Sequence, residues 1–263
     1  MKGHQEKVVG VVAGVGPFAG LDLLAKIARE TQATRDQDHL TIFSISQPNS
    51  VPDRTGFLLG TSEVNPALAL ALQISKLEEA GAEIVGIPCN TAHAPAIFEV
   101  LLDELRRSGS RVQVANMIQE VVLYLRSVYP DSARIGLMAT TGTYHARTYS
   151  RALGAVGFTA VLPPPSMQER LIQPAIYDPE YGIKALGHAS DKARADLTSV
   201  VNYFKGAKAE AIILGCTELP LAFDRRFIDG MTLIDPTLIL ARALIREANP
   251  DKLKPEFGSA SSH

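Results

Sequence analysis

Two pairs of segments in this 263-residue chain match each other at almost the same spacing. Residues 9–16 (VGVVAGVG) align with residues 135–142 (IGLMATTG) at an offset of 126, and residues 82–89 (AEIVGIPC) align with residues 209–216 (AEAIILGC) at an offset of 127. The second alignment superimposes the only two cysteines of the chain, which end the two segments. Self-similarity at a fixed offset indicates internal duplication. We therefore expect two similar halves.

Short, apolar, β-branched runs alternate with longer stretches of helical period along both halves. This alternation is typical of βα units around a parallel sheet, and strands that are apolar throughout are covered on both faces. The predicted fold class is therefore α/β, with two similar parallel-sheet subdomains related by a pseudo-twofold axis and an active site in the cleft between them. The predicted strands cover residues 8–13, 40–46, 84–87, 112–114, 135–139, 159–162, 211–214 and 233–234.

The C-terminal segment is predicted to return to the first subdomain. Residues 233–236 (LIDP) indicate a late strand and a helix start that the pattern of the second half does not require. The small, polar residues 258–263 (GSASSH) are expected to form a disordered tail. The predicted division assigns residues 1–115 and 222–257 to the first α/β lobe and residues 116–221 to the second.

The composition excludes several classes of function. The chain is 46% apolar and 21% charged, as an ordinary globular protein is, and its net charge of -2 with a pI near 6.3 creates no basic field for nucleic acid. Glycines interrupt the apolar run near the N-terminus, which is too short for a signal peptide or a membrane span. We therefore expect a cytoplasmic protein with no membrane partner. Two cysteines do not form a disulfide framework, so both are expected to be free thiols.

Each cysteine ends an apolar strand and precedes polar residues that open a helix. This pattern places both thiols at the carboxyl ends of parallel strands, where open α/β folds bind ligands. A free cysteine often only fills space in a core, but two cysteines at equivalent positions favour a functional pair. The candidate residues in these two segments are Cys89, Asn90, Thr91, Cys216, Thr217 and Glu218.

Two thiols on opposite sides of one cleft suit a particular reaction. Inverting a carbon next to a carboxylate requires one group to remove its proton from one face and another group to deliver a proton to the other face. An ordinary thiol is mostly protonated at neutral pH, so hydrogen-bond donors or a helix N-terminus must stabilise its thiolate. His93 and Glu218 are polar neighbours able to move a proton to or from a thiol, although helix capping and a first-turn carboxylate are the alternative interpretations.

Two cofactor chemistries fit the sequence less well. Cys89 and His93 have zinc-ligand spacing, but Cys216 has no second ligand nearby and zinc sites need at least three protein ligands. The turn at residues 14–20 (GVGPFAG) is similar to a dinucleotide-binding loop, yet its third glycine is one residue late and no acidic residue follows the second strand. We expect neither a metal nor a nicotinamide cofactor. The turn still offers backbone N–H groups that can hold a carboxylate.

The two cysteine segments resemble the signatures of the cofactor-independent aspartate/glutamate racemases. These segments are residues 87–93 (IPCNTAH) and 212–220 (IILGCTELP), and the supporting motifs are residues 14–17 (GVGP), 52–54 (PDR), 139–143 (ATTGT) and 183–184 (IK). The resemblance implies two α/β subdomains with the site between them, no pyridoxal phosphate or metal, and a homodimer. It also implies that Cys89 and Cys216 are the two acid/base residues.

Details of the motifs resemble the aspartate branch of the family. Glutamate racemases open with an Asp-Ser pair and have histidine after the second Cys-Thr, whereas this chain has Val15-Gly16 and Glu218. In the aspartate branch an arginine and a lysine hold the side-chain carboxylate, and these match Arg54 and Lys184. Extra residues at 178–181 depart from the pattern and leave glutamate open as a further substrate. The expected substrate-binding residues are Arg54, Asn90, Thr91, Thr141, Gly142, Thr143, Lys184 and Thr217.

The expected function is therefore a racemase that interconverts L- and D-aspartate through two cysteines. Two other classes of function remain open. A decarboxylase or isomerase of a dicarboxylate uses a single cysteine, and retention of both cysteines argues against it. A non-catalytic amino-acid-binding protein also has a two-lobed α/β cleft, but it is normally exported. Incubation with L-aspartate and no cofactor, followed by optical rotation, separates the three.

Overall fold

A computed structural model describes residues 6–223, 226–228 and 230–255, and the predicted tail at 258–263 lies outside them. The first sheet is parallel, with strand order β2-β1-β3-β4, and the second has the order β6-β5-β7-β9-β8, in which only the edge strand β8 is antiparallel. The predicted α/β class is confirmed. The strands are β1 (Val9–Val12), β2 (Ile42–Ile45), β3 (Ile84–Gly86), β4 (Gln113–Val114), β5 (Arg134–Ala139), β6 (Thr159–Val161), β7 (Ala211–Gly215), β8 (Phe227–Ile228) and β9 (Met231–Ile234).

Helices cover both faces of each sheet, so the inner strands β1, β3, β5 and β7 are buried on both sides, as their apolar sequences indicate. The edge strands β2, β4, β6 and β8 are partly exposed, because each has a hydrogen-bonded neighbour on one side only. No helix in the described part of the chain is long and apolar enough to cross a membrane. The α-helices are α1 (Pro17–Glu30), α2 (Arg54–Leu58), α3 (Ala67–Glu79), α4 (Pro95–Arg107), α5 (Met117–Val128), α6 (Thr141–His145), α7 (Thr148–Gly154), α8 (Pro165–Met167), α9 (Gln173–Tyr177), α10 (Ile183–Leu186), α11 (Asp191–Gly206) and α12 (Pro236–Ala248).

The second sheet repeats the strand order of the first. In each sheet the first strand of the half lies between the second and the third, and β9 takes the position in the second sheet that β4 takes in the first. The two cysteines follow β3 and β7, which occupy equivalent positions. This equivalence supports the duplication inferred from the sequence.

The two halves exchange their last helices. Helix α5 follows β4 of the first sheet but packs into the core of the second lobe, where Val121 and Leu125 contact residues around Ile135. Helix α12 follows β9 of the second sheet but packs into the core of the first lobe, where Leu244 lies directly over Gly86 of β3.

The C-terminal segment is therefore divided between the lobes, whereas the sequence predicts that all of 222–257 joins the first. Strand β9 hydrogen bonds to β7 in the second sheet, and only the helix after it returns. The apolar pattern marks a strand and a helix but carries no information about which sheet the strand extends. The chain crosses between the lobes once after β4 and again after β9.

Candidate functional site

A narrow cleft lies between the lobes, at the carboxyl ends of the central strands, with about 310 Å³ of empty space that is partly open to solvent. Loops that follow parallel strands meet at this edge. Both cysteines line this space, one from each lobe. The first lobe contributes Val15, Gly16, Arg54, Pro88, Cys89, Asn90 and Thr91, and the second contributes Thr140, Tyr177, Lys184, Cys216, Thr217 and Glu218.

Cys89 lies where the chain leaves β3 and enters a short 3-10 helix, Asn90–His93. Its side chain is partly exposed. His93 does not line the cleft, because its ring is buried behind Cys89, with Nδ1 2.8 Å from the Cys89 carbonyl oxygen and the ring stacked on Phe98. Burial lowers the pKa of His93 more than the neighbouring carbonyl oxygens of Cys89 and Ala115 raise it. The ring is therefore neutral and donates from one nitrogen only. His93 holds the backbone of Cys89 in place and is remote from a substrate proton.

Arg54 is the first residue of α2, where the side chain of Asp53 caps the helix by accepting from the Gly56 N–H. Its guanidinium donates to the Val15 carbonyl at 2.7 Å, and its Nε has no hydrogen-bond partner among the described residues although it is buried. Burial alone would lower the pKa of Arg54, but electrostatic attraction to Cys89 raises it overall. Arg54 therefore places a fixed positive charge beside Cys89.

Cys216 lies at the end of β7 and is part of a buried hydrogen-bonded group. Its Sγ donates to Oε2 of Glu218 at 3.0 Å, and the Thr217 hydroxyl donates to the same oxygen at 3.2 Å. The other carboxylate oxygen, Oε1, forms an ion pair with Nζ of Lys184 in α10. Because Glu218 contacts Cys216 and Lys184 at once, it connects a thiol to a cation.

The charges of this group determine its protonation. Burial and the negative charge of Glu218 raise the pKa of Cys216 well above its usual value, so Cys216 carries its proton at neutral pH. Burial also raises the pKa of Glu218, but the charge of Lys184 and the hydrogen bonds that Glu218 accepts lower this pKa by more than burial raises it. The carboxylate therefore stays ionised. For Lys184, burial lowers the pKa, and Glu218 and Cys216 raise it more, so the ammonium stays charged. The two cysteines therefore lie in different electrostatic environments.

Three threonine hydroxyls connect the lobes beside the cysteines. Thr91 Oγ1 in the first lobe lies 3.1 Å from Thr140 Oγ1 and 3.0 Å from Thr143 Oγ1 in the second. Thr140 also caps α6 by accepting from the Thr143 N–H. Of these three, Thr91 and Thr140 line the cleft, and Thr143 is fully buried behind them.

The predicted binding turn at Thr141–Thr143 does not line the cleft. The Thr141 N–H and hydroxyl both donate to Oε1 of Gln173 at 2.9 Å. Gly142 packs against α2, where a Cβ atom added to it would lie 2.9 Å from the Thr55 hydroxyl oxygen. The turn supports the contact between the lobes, and its neighbour Thr140 faces the cleft instead.

Tyr177 lines the cleft at the end of α9, a position that the sequence did not predict. Burial raises its pKa to about 12, so the hydroxyl stays protonated. The Lys184 ammonium lies 5.4 Å from the centre of its ring, within cation–π range. One feature of the sequence could have indicated Tyr177: it directly precedes the extra residues at 178–181, which depart from the family pattern just ahead of Lys184.

The glycine-rich turn at residues 14–20 is explained by packing. An added Cβ at Gly20 would lie 2.5 Å from the Ala13 side chain, and one at Gly16 would lie 3.0 Å from the Glu218 carboxylate across the cleft. These glycines therefore permit close approach of α1 to β1 and of one lobe to the other. Within the described part of the chain, no group of three or more His, Cys, Asp or Glu side chains is arranged to hold a metal ion.

The fold and the cleft define a two-lobed α/β protein whose site draws one thiol from each lobe. Residues 12–244 match the Asp/Glu/Hydantoin racemase family model, and the chain belongs to this family, whose racemase activity makes it an isomerase. It is similar to an aspartate racemase from Picrophilus torridus, with 26% identity over 92% of this chain and 94% of that one and a TM-score of 0.76. An aspartate racemase homologue from Pyrococcus horikoshii shows the same fold at 24% identity over 92% and 99%, with a TM-score of 0.70. A glutamate racemase from Francisella tularensis in complex with D-glutamate also shares the fold, at 16% identity over 96% and 85%, with a TM-score of 0.62.

Proposed function

We propose that the protein interconverts L- and D-aspartate without a cofactor, with Cys89 and Cys216 as acid/base residues on opposite faces of the substrate. The observation that carries the proposal is that two cysteines from different lobes line one cleft together with two cations, Arg54 and Lys184. Similarity to the Picrophilus aspartate racemase supports the choice of substrate. Aspartate has a second carboxylate, and the positive charges of Arg54 and Lys184 complement its negative charge.

In the first proposed step Cys89, beside Arg54, is the base and Cys216 is the thiol held by Glu218. For one enantiomer, the Cys89 thiolate removes the Cα proton, so that the Cα–H bond breaks and an S–H bond forms. The electron pair stays on the substrate and is delocalised into the α-carboxylate. Cys216 then donates its proton to the opposite face of Cα and becomes the thiolate. For the other enantiomer the roles are exchanged.

Glu218 and Lys184 support the second thiol in this mechanism. The carboxylate keeps the proton on Cys216 until the substrate carbanion accepts it, and Lys184 compensates the charge of Glu218 in the buried group. An ammonium group has three donors, so Lys184 can bind the side-chain carboxylate of aspartate while it stays paired with Glu218. We propose that Arg54 is the second ligand of this carboxylate.

Single Cys89→Ala and Cys216→Ala variants test the mechanism. Because the two thiols act as a unit, each single variant is expected to lose racemisation almost as completely as the double variant. In heavy water, a variant that keeps one thiolate exchanges the Cα hydrogen of one enantiomer with retention, and the other variant favours the opposite enantiomer. Chiral chromatography and proton NMR measure the two processes, with glutamate as a second substrate. Near-normal racemisation by either single variant, or a requirement for pyridoxal phosphate or a metal, would refute the two-thiol mechanism.

We further propose that the protein is a homodimer, as its family resemblance implies. Size-exclusion chromatography with light scattering tests this against the 28.3 kDa mass of one chain. A mass of one chain at micromolar concentration contradicts the proposal.

A further inference from the structure

A tyrosine of the second lobe contacts an amide of the first lobe at the edge of the cleft. Tyr149 lies in α7 and is completely buried. Its hydroxyl donates a hydrogen bond of 2.5 Å to Oδ1 of Asn90, which lines the cleft next to Cys89. Tyr149 itself does not line the cleft, so any effect it has on a substrate acts through Asn90.

This hydrogen bond determines which end of the Asn90 amide is free. Oδ1 is occupied by Tyr149, whereas Nδ2 is buried and has no hydrogen-bond partner within residues 6–223, 226–228 and 230–255. Asn90 is only 2% exposed. Buried polar groups in folded proteins nearly always have a partner. A buried amide donor without one, on a residue that lines a cleft, is available to a ligand.

The surroundings of Tyr149 favour its role as the donor. A tyrosine hydroxyl can donate or accept, but burial and the nearby charge of Asp235 raise the pKa of Tyr149, so it keeps its proton. The Asp235 carboxylate has other partners, because it caps α12 by accepting from the first N–H groups of that helix and pairs with Lys26 at 2.6 Å. The proton of Tyr149 therefore goes to Asn90.

We infer that Tyr149 is a positioning residue, which turns the Nδ2 donor of Asn90 toward the α-carboxylate of the bound amino acid. The inference rests on the proposed racemase function. Asn90 follows Cys89 directly, and Cys89 acts at Cα, so the α-carboxylate is the group within its reach. Negative charge grows on this carboxylate as the Cα proton leaves, and a donor already in place stabilises the transition state more than the bound substrate. Tyr149 therefore affects kcat more than KM.

Because the two residues come from different lobes, the donor is in position only when the lobes are together. Tyr149 belongs to the core of the second lobe, with Leu153 and Ile135, while Asn90 follows a strand of the first. The amide is thus oriented by the same contact that brings the two cysteines to one cleft. A substrate bound to one lobe alone would not meet the oriented amide.

The variant Tyr149→Phe removes only the hydroxyl. We expect kcat for aspartate to fall about three- to tenfold, with KM changed by less than about twofold. The matched control is Tyr203→Phe, which removes a hydroxyl that donates to the Leu162 carbonyl at 3.0 Å within the second lobe. The control is expected to keep the wild-type kcat. Initial racemisation rates over a range of aspartate concentrations supply both constants.

A double-mutant cycle with Asn90→Ala distinguishes positioning from a purely structural role. Once the amide is absent, Tyr149→Phe is expected to have no further effect on kcat. The double variant lacks both hydrogen-bond partners, so it leaves no buried acceptor unsatisfied and serves as a folded reference if the single variant is unstable. Unchanged kcat in Tyr149→Phe overturns the inference, as does an equal fall with and without the Asn90 side chain. A wild type that does not racemise aspartate overturns the proposed function, whereas an active wild type with an inert Tyr149→Phe overturns only this inference.

Discussion

Replacing Glu218 by Gln tests whether the negative charge of Glu218 keeps the proton on the second thiol, Cys216. Glutamine keeps the shape of the side chain and a carbonyl oxygen that can accept from Cys216, but it removes the negative charge between Cys216 and Lys184. The charge of Glu218 is second only to burial in raising the pKa of Cys216, and Lys184 acts in the opposite direction. The substitution is therefore expected to lower the pKa of Cys216.

The size of the effect follows from the hydrogen bond that is lost. A hydrogen bond to a charged group contributes about 1.5–3 kcal/mol, and one between neutral groups about 1 kcal/mol. Exchanging the first for the second at 3.0 Å shifts the balance between thiol and thiolate by about 0.5–2 kcal/mol, or roughly two- to thirtyfold. At a pH where Cys216 is mostly protonated, its thiolate fraction should rise by this factor.

Alkylation by iodoacetamide in a Cys89→Ser background measures this directly, because Cys216 is then the only cysteine in the chain. The rate at pH 7 should rise about two- to thirtyfold in Glu218→Gln relative to the same background with Glu218. With both cysteines present, the high-pH decline of racemisation, which reports ionisation of the thiol, should move to lower pH. A slower alkylation rate, or a high-pH decline that moves upward, would refute the assignment of Glu218 as the group that retains the proton of Cys216.

Two further predictions concern the cations and the packing of the second sheet. Arg54→Ala and Lys184→Ala should each lower kcat/KM for aspartate roughly ten- to a hundredfold, because each removes a charge-assisted contact of about 1.5–3 kcal/mol; unchanged turnover in chiral chromatography would place the carboxylate pocket elsewhere. Gly136→Ala should lower the free energy of unfolding by about 1–3 kcal/mol, because its Cβ would lie 2.8 Å from the buried ring of Phe204. In Gly154→Ala the added Cβ meets no tertiary neighbour within 4 Å among the described residues, so this variant should be neutral or stabilising by up to about 1 kcal/mol. Equal urea midpoints for the two variants would contradict the packing argument.

The inner strands that end at the site were predictable because each is a short apolar run covered on both faces. The predicted strand at 211–214 is observed as β7, and the predicted strand at 84–87 as β3. The edge strand β8 was missed, since two residues of an antiparallel hairpin carry no periodic signal. The positions of the cysteines relative to the strands followed from the same pattern.

The composition of the cleft was less predictable, because it depends on how the lobes meet. Thr140 and Thr141 are neighbours with the same side chain, yet the first faces the cleft and the second binds Gln173. The direction of the backbone at the start of α6 decides which of these two side chains faces the cleft, and the sequence does not specify this direction. The imidazole of His93 is likewise suited to acid/base chemistry, but its burial behind Cys89 depends on tertiary packing, which the spacing of residues in the sequence does not predict.

The exchange of helices α5 and α12 has a consequence for synthesis on the ribosome. The last strand of the first sheet ends at Val114, but the core that holds Leu23 and Ile27 of α1 is completed by Leu240 and Leu244, near the end of the chain. At about 5–20 residues per second, the roughly 130 intervening residues take on the order of 7–26 s to translate. Throughout this interval one face of the N-terminal sheet is covered by α1 but lacks α12, so apolar side chains of this face stay exposed. The N-terminal lobe therefore cannot fold as a finished unit while the second is being made, and cutting the gene between the two halves would leave each fragment with the other's helix.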